Sequence, residues 1–218
     1  MVTLPFASPK WGVQRSTPAT IEGLRDAIAK YENRIEETVQ TAAQAGIYWK
    51  ILAIRYMDRR MYSESLEAFE RAVSYFPEDP SLFYYSGLCA GIVAKSSLDF
   101  GASGRNLSRD KYYALAEASQ LRAISLDPAY ARPRYALGVL YVFELGRPED
   151  AITHLETYLE LESKSLDGMF VLARAYFMTG AFQKAVDVYD RIISITRDPS
   201  RKVEAESNKK AALDALYD

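Results

Sequence analysis

Apolar residues in this chain recur at helical steps, and no stretch sustains the every-second-residue alternation of a strand. Between Thr20 and Ala45, the residues Ile21, Leu24, Ile28, Tyr31, Ile35, Val39 and Ala42 stand three or four positions apart. That spacing gathers them into one stripe along a long helix. Further on, shorter apolar blocks alternate with turn signals. Asp79-Pro80 and Asp198-Pro199 read as a helix N-cap followed by proline in the first turn. Gly146-Arg147-Pro148 and Thr179-Gly180 read as turns between paired helices. Residues Pro199–Asp218 read as a last helix, in which Val203, Leu213 and Leu216 are sparse among solvated Lys and Glu. The first residues carry Pro5, Pro9 and Pro18 beside Leu4, Phe6 and Trp11, so an extended segment is expected there.

The shorter blocks form a repeat. One runs Trp49-x-x-Leu52-Ala53-x-x-Tyr56, then Tyr62, Phe69, Ala72 and Pro77. Another runs Leu137-Gly138-x-x-Tyr141, then Gly146 and Ala151, and a third runs Leu172-Ala173-x-x-Tyr176, then Gly180, Phe182, Ala185 and Tyr189. Between them lie Phe83-x-x-x-Gly87 and, much later, Ala116, Ala123 and Pro128. Ala53 to Gly87 is 34 residues, and Gly138 to Ala173 is 35. Gly87 to Gly138 and Pro77 to Pro128 are both 51, which puts 17 extra residues inside the second block. The Ser- and Gly-rich segment at about 96–108 is the expected insertion, and one further extra residue falls near Leu145–Gly146.

This pattern resembles the tetratricopeptide repeat family, with its period of 34 and its W-x2-L-G-x2-Y…A…F…A…P signature. The resemblance implies an all-α fold, a right-handed α-solenoid of about four helix pairs with an extra N-terminal helix and a C-terminal capping helix. The expected divisions are an extended segment 1–19, a helix 20–45 packing on the repeats, and a repeat domain 46–199, followed by a cap 200–218. The repeats are placed at 46–79, 80–130, 131–165 and 166–199. Small residues at Ala53, Gly87, Gly138 and Ala173, and at Ser65, Ala116, Ala151 and Ala185, would let paired helices approach closely. Tyr56, Phe69, Tyr141, Tyr176 and Tyr189 would fill the space between units. The stripe of helix 20–45 has two readings, a cover for the first repeat or a seam joining two copies.

In this family the first helix of each pair lines the concave face. Projected onto this chain, that face offers Ile47, Lys50, Ile54 and Met57 from unit one and Ser81, Tyr84, Leu88 and Ile92 from unit two. Unit three offers Arg132, Tyr135, Val139 and Val142, and unit four offers Asp167, Phe170, Arg174 and Phe177. Members that hold chaperone tails use a carboxylate clamp of Lys, Asn and Arg. Lys50 stands at a matching place, but Ile54 and Leu88 replace the asparagines and Ala136 replaces a basic residue. The clamp is therefore not expected, and an apolar, aromatic groove for a partner protein's helix or extended segment is. A groove holding a small apolar molecule, or a self-assembling subunit, are the alternative readings.

Composition narrows the chemistry. The chain has 218 residues, 49% hydrophobic and 26% charged, with a formal net charge of −2. That balance gives no general pull toward nucleic acid. The segment MVTLPFASPKWG lacks the basic region and apolar core of a signal peptide, and no run of 18 apolar residues suggests a membrane span. Cys89 is the single cysteine, which permits no intrachain disulfide and fits a reducing compartment without requiring one. His154 is the single histidine, expected on a helix surface, and no metal, cofactor or catalytic set is expected around either residue. Gly101-Ala-Ser-Gly104-Arg105 lacks the Lys-Ser/Thr of a phosphate loop and reads as a flexible loop. Tyr112 and Tyr113, beside Arg109 and Lys111, read as core packing rather than base stacking.

Overall fold

A computed structural model describes residues 20–97 and 106–217. The expected extended segment 1–19 and the centre of the expected insertion lie outside these residues, as does the glycine-rich run Gly101–Arg105. Nine α-helices are described: α1 (Ile21–Asp58), α2 (Tyr62–Tyr75), α3 (Pro80–Ser96), α4 (Leu107–Leu126), α5 (Ala131–Val139), α6 (Pro148–Leu161), α7 (Leu166–Met178), α8 (Phe182–Ile195) and α9 (Pro199–Tyr217). A π-helical turn, Leu140–Leu145, prolongs α5. The chain divides into two compact units, 1–44 and 45–218.

The expected boundary at 45/46 falls inside α1, which runs on without a break. Gly46 is a point of close approach rather than a turn: a Cβ there would lie 2.6 Å from both the Phe76 ring and Tyr75 Cβ. The stripe before it is exposed, with Ile21, Ile28, Ile35 and Val39 all more than half open.

From residue 45 onward the helices pair as the repeat demands. Each helix from α2 to α9 packs on the next, while α3 also meets α5 and α5 meets α7, so the first helices of successive pairs share one face. The small positions read from the period are all buried: Ala53, Gly87, Gly138 and Ala173 on first helices, Ser65, Ala116, Ala151 and Ala185 on second helices. Ser65 offsets the cost of its burial by donating its hydroxyl to the Ala53 carbonyl at 2.8 Å. Cys89 lies against it, its thiol 3.4 Å from Ser65 Oγ and pushed above the ordinary thiol pKa by burial. It is a small core residue of α3.

Tyr141 and Tyr176 fill the gaps between pairs and remain polar at the tip. Each donates its hydroxyl to a glutamate on the preceding second helix, Tyr141 to Glu117 and Tyr176 to Glu156. A cation covers each ring, Arg147 over Tyr141 and Lys184 over Tyr176. A buried tyrosine hydroxyl needs such a partner.

Both Asp-Pro starts behave as caps. Asp79 accepts from the Ser81 amide at 2.9 Å and the Ser81 hydroxyl at 2.6 Å, and Asp198 accepts from the same two groups of Ser200. Asp79 also pairs with Lys50 of α1 at 2.7 Å, tying the first repeat to the second. Burial opposes the Asp79 charge, but the bonds from Lys50 and Ser81 outweigh it and hold the carboxyl below its ordinary pKa. Its contribution is complete above the unfolded carboxyl pKa, near 4, and vanishes as pH falls through the lowered folded value. Asp79→Ala is expected to cost about 1–2 kcal/mol at neutral pH. In urea unfolding followed across pH, the variant and wild type should converge in strong acid.

The 17 extra residues of unit two are not a simple loop. α3 and α4 are 17 and 20 residues long against 13 and 14 for α7 and α8, so part of the insertion prolongs both helices. The single extra residue of unit three is taken up by the π turn, where hydrogen bonds span one more residue than in an α-helix. Gly146 ends that turn at φ 62°, and the Arg147 amide closes it on the Tyr141 carbonyl.

Candidate interaction groove

The face shared by α3, α5 and α7 carries a cavity of about 240 Å³ between units two and three. Tyr84, Leu88 and Ile92 of α3 wall one side, and Tyr135, Val139 and Leu140 wall the other. Gly91 leaves the α3 wall open, since a Cβ there would meet nothing within 4 Å. The long helix α4 supplies the base with Tyr113, Ala116 and Gln120.

One end of the cavity is polar. The Glu144 carboxylate, only 17% exposed, accepts from Tyr113 at 2.6 Å and pairs with Lys95 at 2.6 Å. Burial penalises this charge, yet the Lys95 and Tyr113 hydrogen bonds keep its pKa below the ordinary value. The Tyr113 hydroxyl is correspondingly pushed up to about 12 by its burial and by Glu144. At the base, Gln120 is 2% exposed; its amide nitrogen donates to the Tyr84 carbonyl at 3.1 Å, and its amide oxygen has no partner. The bond to a carbonyl settles which end of the amide is nitrogen.

The π turn builds this end. Each residue of an α-helix advances about 100° around the axis, so one extra residue re-aims everything after it. Val142, expected on the concave face, is instead buried at 4% exposure, and Glu144 takes the place beside Lys95. His154, expected on a helix surface, is half-buried and stacked 6.1 Å from Tyr141, with burial lowering its pKa.

Of the groove residues read from the sequence, Tyr84, Leu88, Ile92, Tyr135 and Val139 line the cavity together. Tyr84 packs on Tyr85 and Tyr130, and Tyr135 on Tyr158, which holds both rings half-open. Phe170 shares a second, polar hollow with Tyr135, Asp167 and Arg201, the last paired to Asp167 at 2.6 Å. The capping helix α9 thus occupies the place of a next first helix: Glu204, one 34-residue step beyond Phe170, lines the same hollow. Lys50 is engaged by Asp79 and Ser81, while Ile54 and Met57 pack half-buried against the core. Phe177 packs on Phe182, and Arg132 and Arg174 lie outside the cavity lining. Gln120, Tyr113, Lys95 and Glu144 were not among the sequence candidates, because three of them lie on a second helix or in the π turn.

The Tetratricopeptide repeat family model matches residues 52–90 and 137–201. These two stretches are tetratricopeptide repeats. The gap between the matched stretches begins inside α3, takes in all of α4 and ends inside α5. No curated protein matches the sequence significantly. Among solved structures, the tetratricopeptide repeat protein TTC0263 of Thermus thermophilus is 19% identical, with a TM-score of 0.60 over 84% of this chain and 92% of that one. YrrB, a tetratricopeptide repeat protein with an unusual peptide-binding site, is 19% identical, with a TM-score of 0.58 over 83% and 88%. The first tetratricopeptide domain of Spaghetti (RPAP3), bound to the HSP90 peptide SRMEEVD, is 20% identical, with a TM-score of 0.50 over 63% and 97%. The likeness is one of fold. No helix among the described residues is long and apolar enough to cross a membrane.

Proposed function

We propose that this chain is a non-enzymatic interaction scaffold that holds a helix or extended segment of a partner protein along the face of α3, α5 and α7. The cavity between Tyr84, Leu88 and Tyr135 carries this reading. About 240 Å³ suits one large apolar side chain, whereas pockets for small molecules run to roughly 300–1,000 Å³. An apolar anchor would seat there, and the Lys95–Glu144 pair at the rim would orient polar groups beside it. Binding of peptides by the Spaghetti domain and a peptide-binding site in YrrB support a peptide-like occupant.

The occupant differs from a chaperone tail. Ile54, Leu88 and Ala136 offer no clamp to a terminal carboxylate, and Lys50 is already paired to Asp79. The acidic peptide SRMEEVD is expected to show no saturable binding in fluorescence polarisation at micromolar protein. Tight binding would place the site at a clamp and remove the apolar groove from the account. The direct test is capture of a partner by wild type beside Gly91→Leu, whose added side chain enters the cavity. Loss of capture with the variant supports the groove, and equal capture moves the site elsewhere.

A further inference from the structure

The described side chains in the amino-terminal part of α1 are exposed or partly exposed. From Ile21 to Gln44 no described side chain is buried, although Ile21, Ile28, Ile35 and Val39 are 66%, 55%, 64% and 61% exposed. The apolar positions follow a heptad. Ile21, Ile28 and Ile35 take its a positions, and Leu24, Tyr31 and Thr38 its d positions. Val39 takes an e position beside the seam, and the other outer positions from Glu22 to Gln40 are polar or small.

We propose that this seam joins two copies of the chain as a short antiparallel two-helix coiled coil. The flanking charges select the partner and its direction. Arg25 and Glu32 both occupy e positions, and both are exposed. In a parallel pair, e faces g, so Arg25 would meet Thr20 of the second copy and Glu32 would meet its Ala27, leaving both charges unmatched. In an antiparallel pair, e faces e. Centring the seam on Ile28 against Tyr31 of the second copy sets Arg25 against the second copy's Glu32, and Glu32 against its Arg25. The same register puts Ile21 opposite Thr38 of the second copy, so every layer between is filled. Two symmetric ion pairs therefore arise from one sequence acting on itself, as a twofold interface requires. The seam is about 27 Å long for 18 residues. It lies wholly in the first compact unit and stands independently of the groove.

Sedimentation equilibrium of the full chain across the micromolar range tests this. Wild type is expected to dimerise, and Ile28→Glu with Ile35→Glu to remain monomeric with the circular dichroism of the repeats retained. Arg25→Glu alone and Glu32→Arg alone are each expected to weaken the dimer roughly tenfold, by turning two attractions into repulsions. The double swap, Arg25→Glu with Glu32→Arg, should restore it to near wild type. These two positions are exposed and polar, so the swap remains readable even if the isoleucine variant misfolds. A wild-type monomer throughout the range, a dimer that survives the isoleucine variant, or a double swap no tighter than the singles would each overturn the proposal.

Discussion

Gly138→Ala is expected to lower stability by about 1–3 kcal/mol, a large effect for a single methyl group. The new Cβ would sit 2.4 and 2.5 Å from Leu155 Cδ2 and Cγ, inside van der Waals contact. Leu155 is fully buried on α6, so it has no open space to swing into. The two helices must part, and every contact along that pair loosens with them. Gly91→Ala is the matched control, since it adds the same methyl to a first helix at a place where nothing lies within 4 Å. It should be neutral or stabilising by up to about 1 kcal/mol, as alanine is the better helix former. Urea unfolding should show a clear loss of stability for Gly138→Ala and none for Gly91→Ala. Leu155→Ala costs about 2–5 kcal/mol alone. Combined with Gly138→Ala it should cost clearly less than the sum, because the two changes share one space.

Gly91→Leu is expected to weaken partner capture at least tenfold while leaving the fold as stable or more so. The glycine lines the cavity between α3 and α5 and leaves that wall open. A leucine there gains helix propensity and is expected to extend into the cavity that Tyr84, Leu88 and Val139 also line, where a partner's apolar anchor would otherwise sit. Losing a buried anchor costs about 2 kcal/mol or more, and each 1.4 kcal/mol is tenfold in affinity. Stability and binding are thereby separated in one variant. Surface plasmon resonance with the captured partner, beside a thermal melt, reads both. A lower melting temperature with weaker binding would point to damage rather than to an occupied cavity.

The repeat was legible because it is written in residue size at a fixed interval. Ala53, Gly87, Gly138 and Ala173 mark where helices must nearly touch, and all four are buried. The Asp-Pro starts are legible for a similar reason, since a cap acts on amides two residues away. Both signals are local, and local patterning needs no knowledge of the rest of the chain. The same period projects Tyr84, Leu88, Tyr135 and Val139 onto one face, where they line the cavity between α3 and α5.

The sequence by itself determined the helix pairs, their period, the positions of close contact and the extra residue in unit three. Only the tertiary structure decided what that residue does. A helix can absorb it in a loop or in a π turn, and packing of Tyr141 and Val142 into the core selects the turn. The choice rotates Glu144 toward Lys95 and Tyr113, residues 49 and 31 positions away. Gln120 reaches Tyr84 across 36 positions in the same way. Pairings at such separations depend on how whole helices stack, and periodicity specifies which face is apolar but not which distant side chain it will meet.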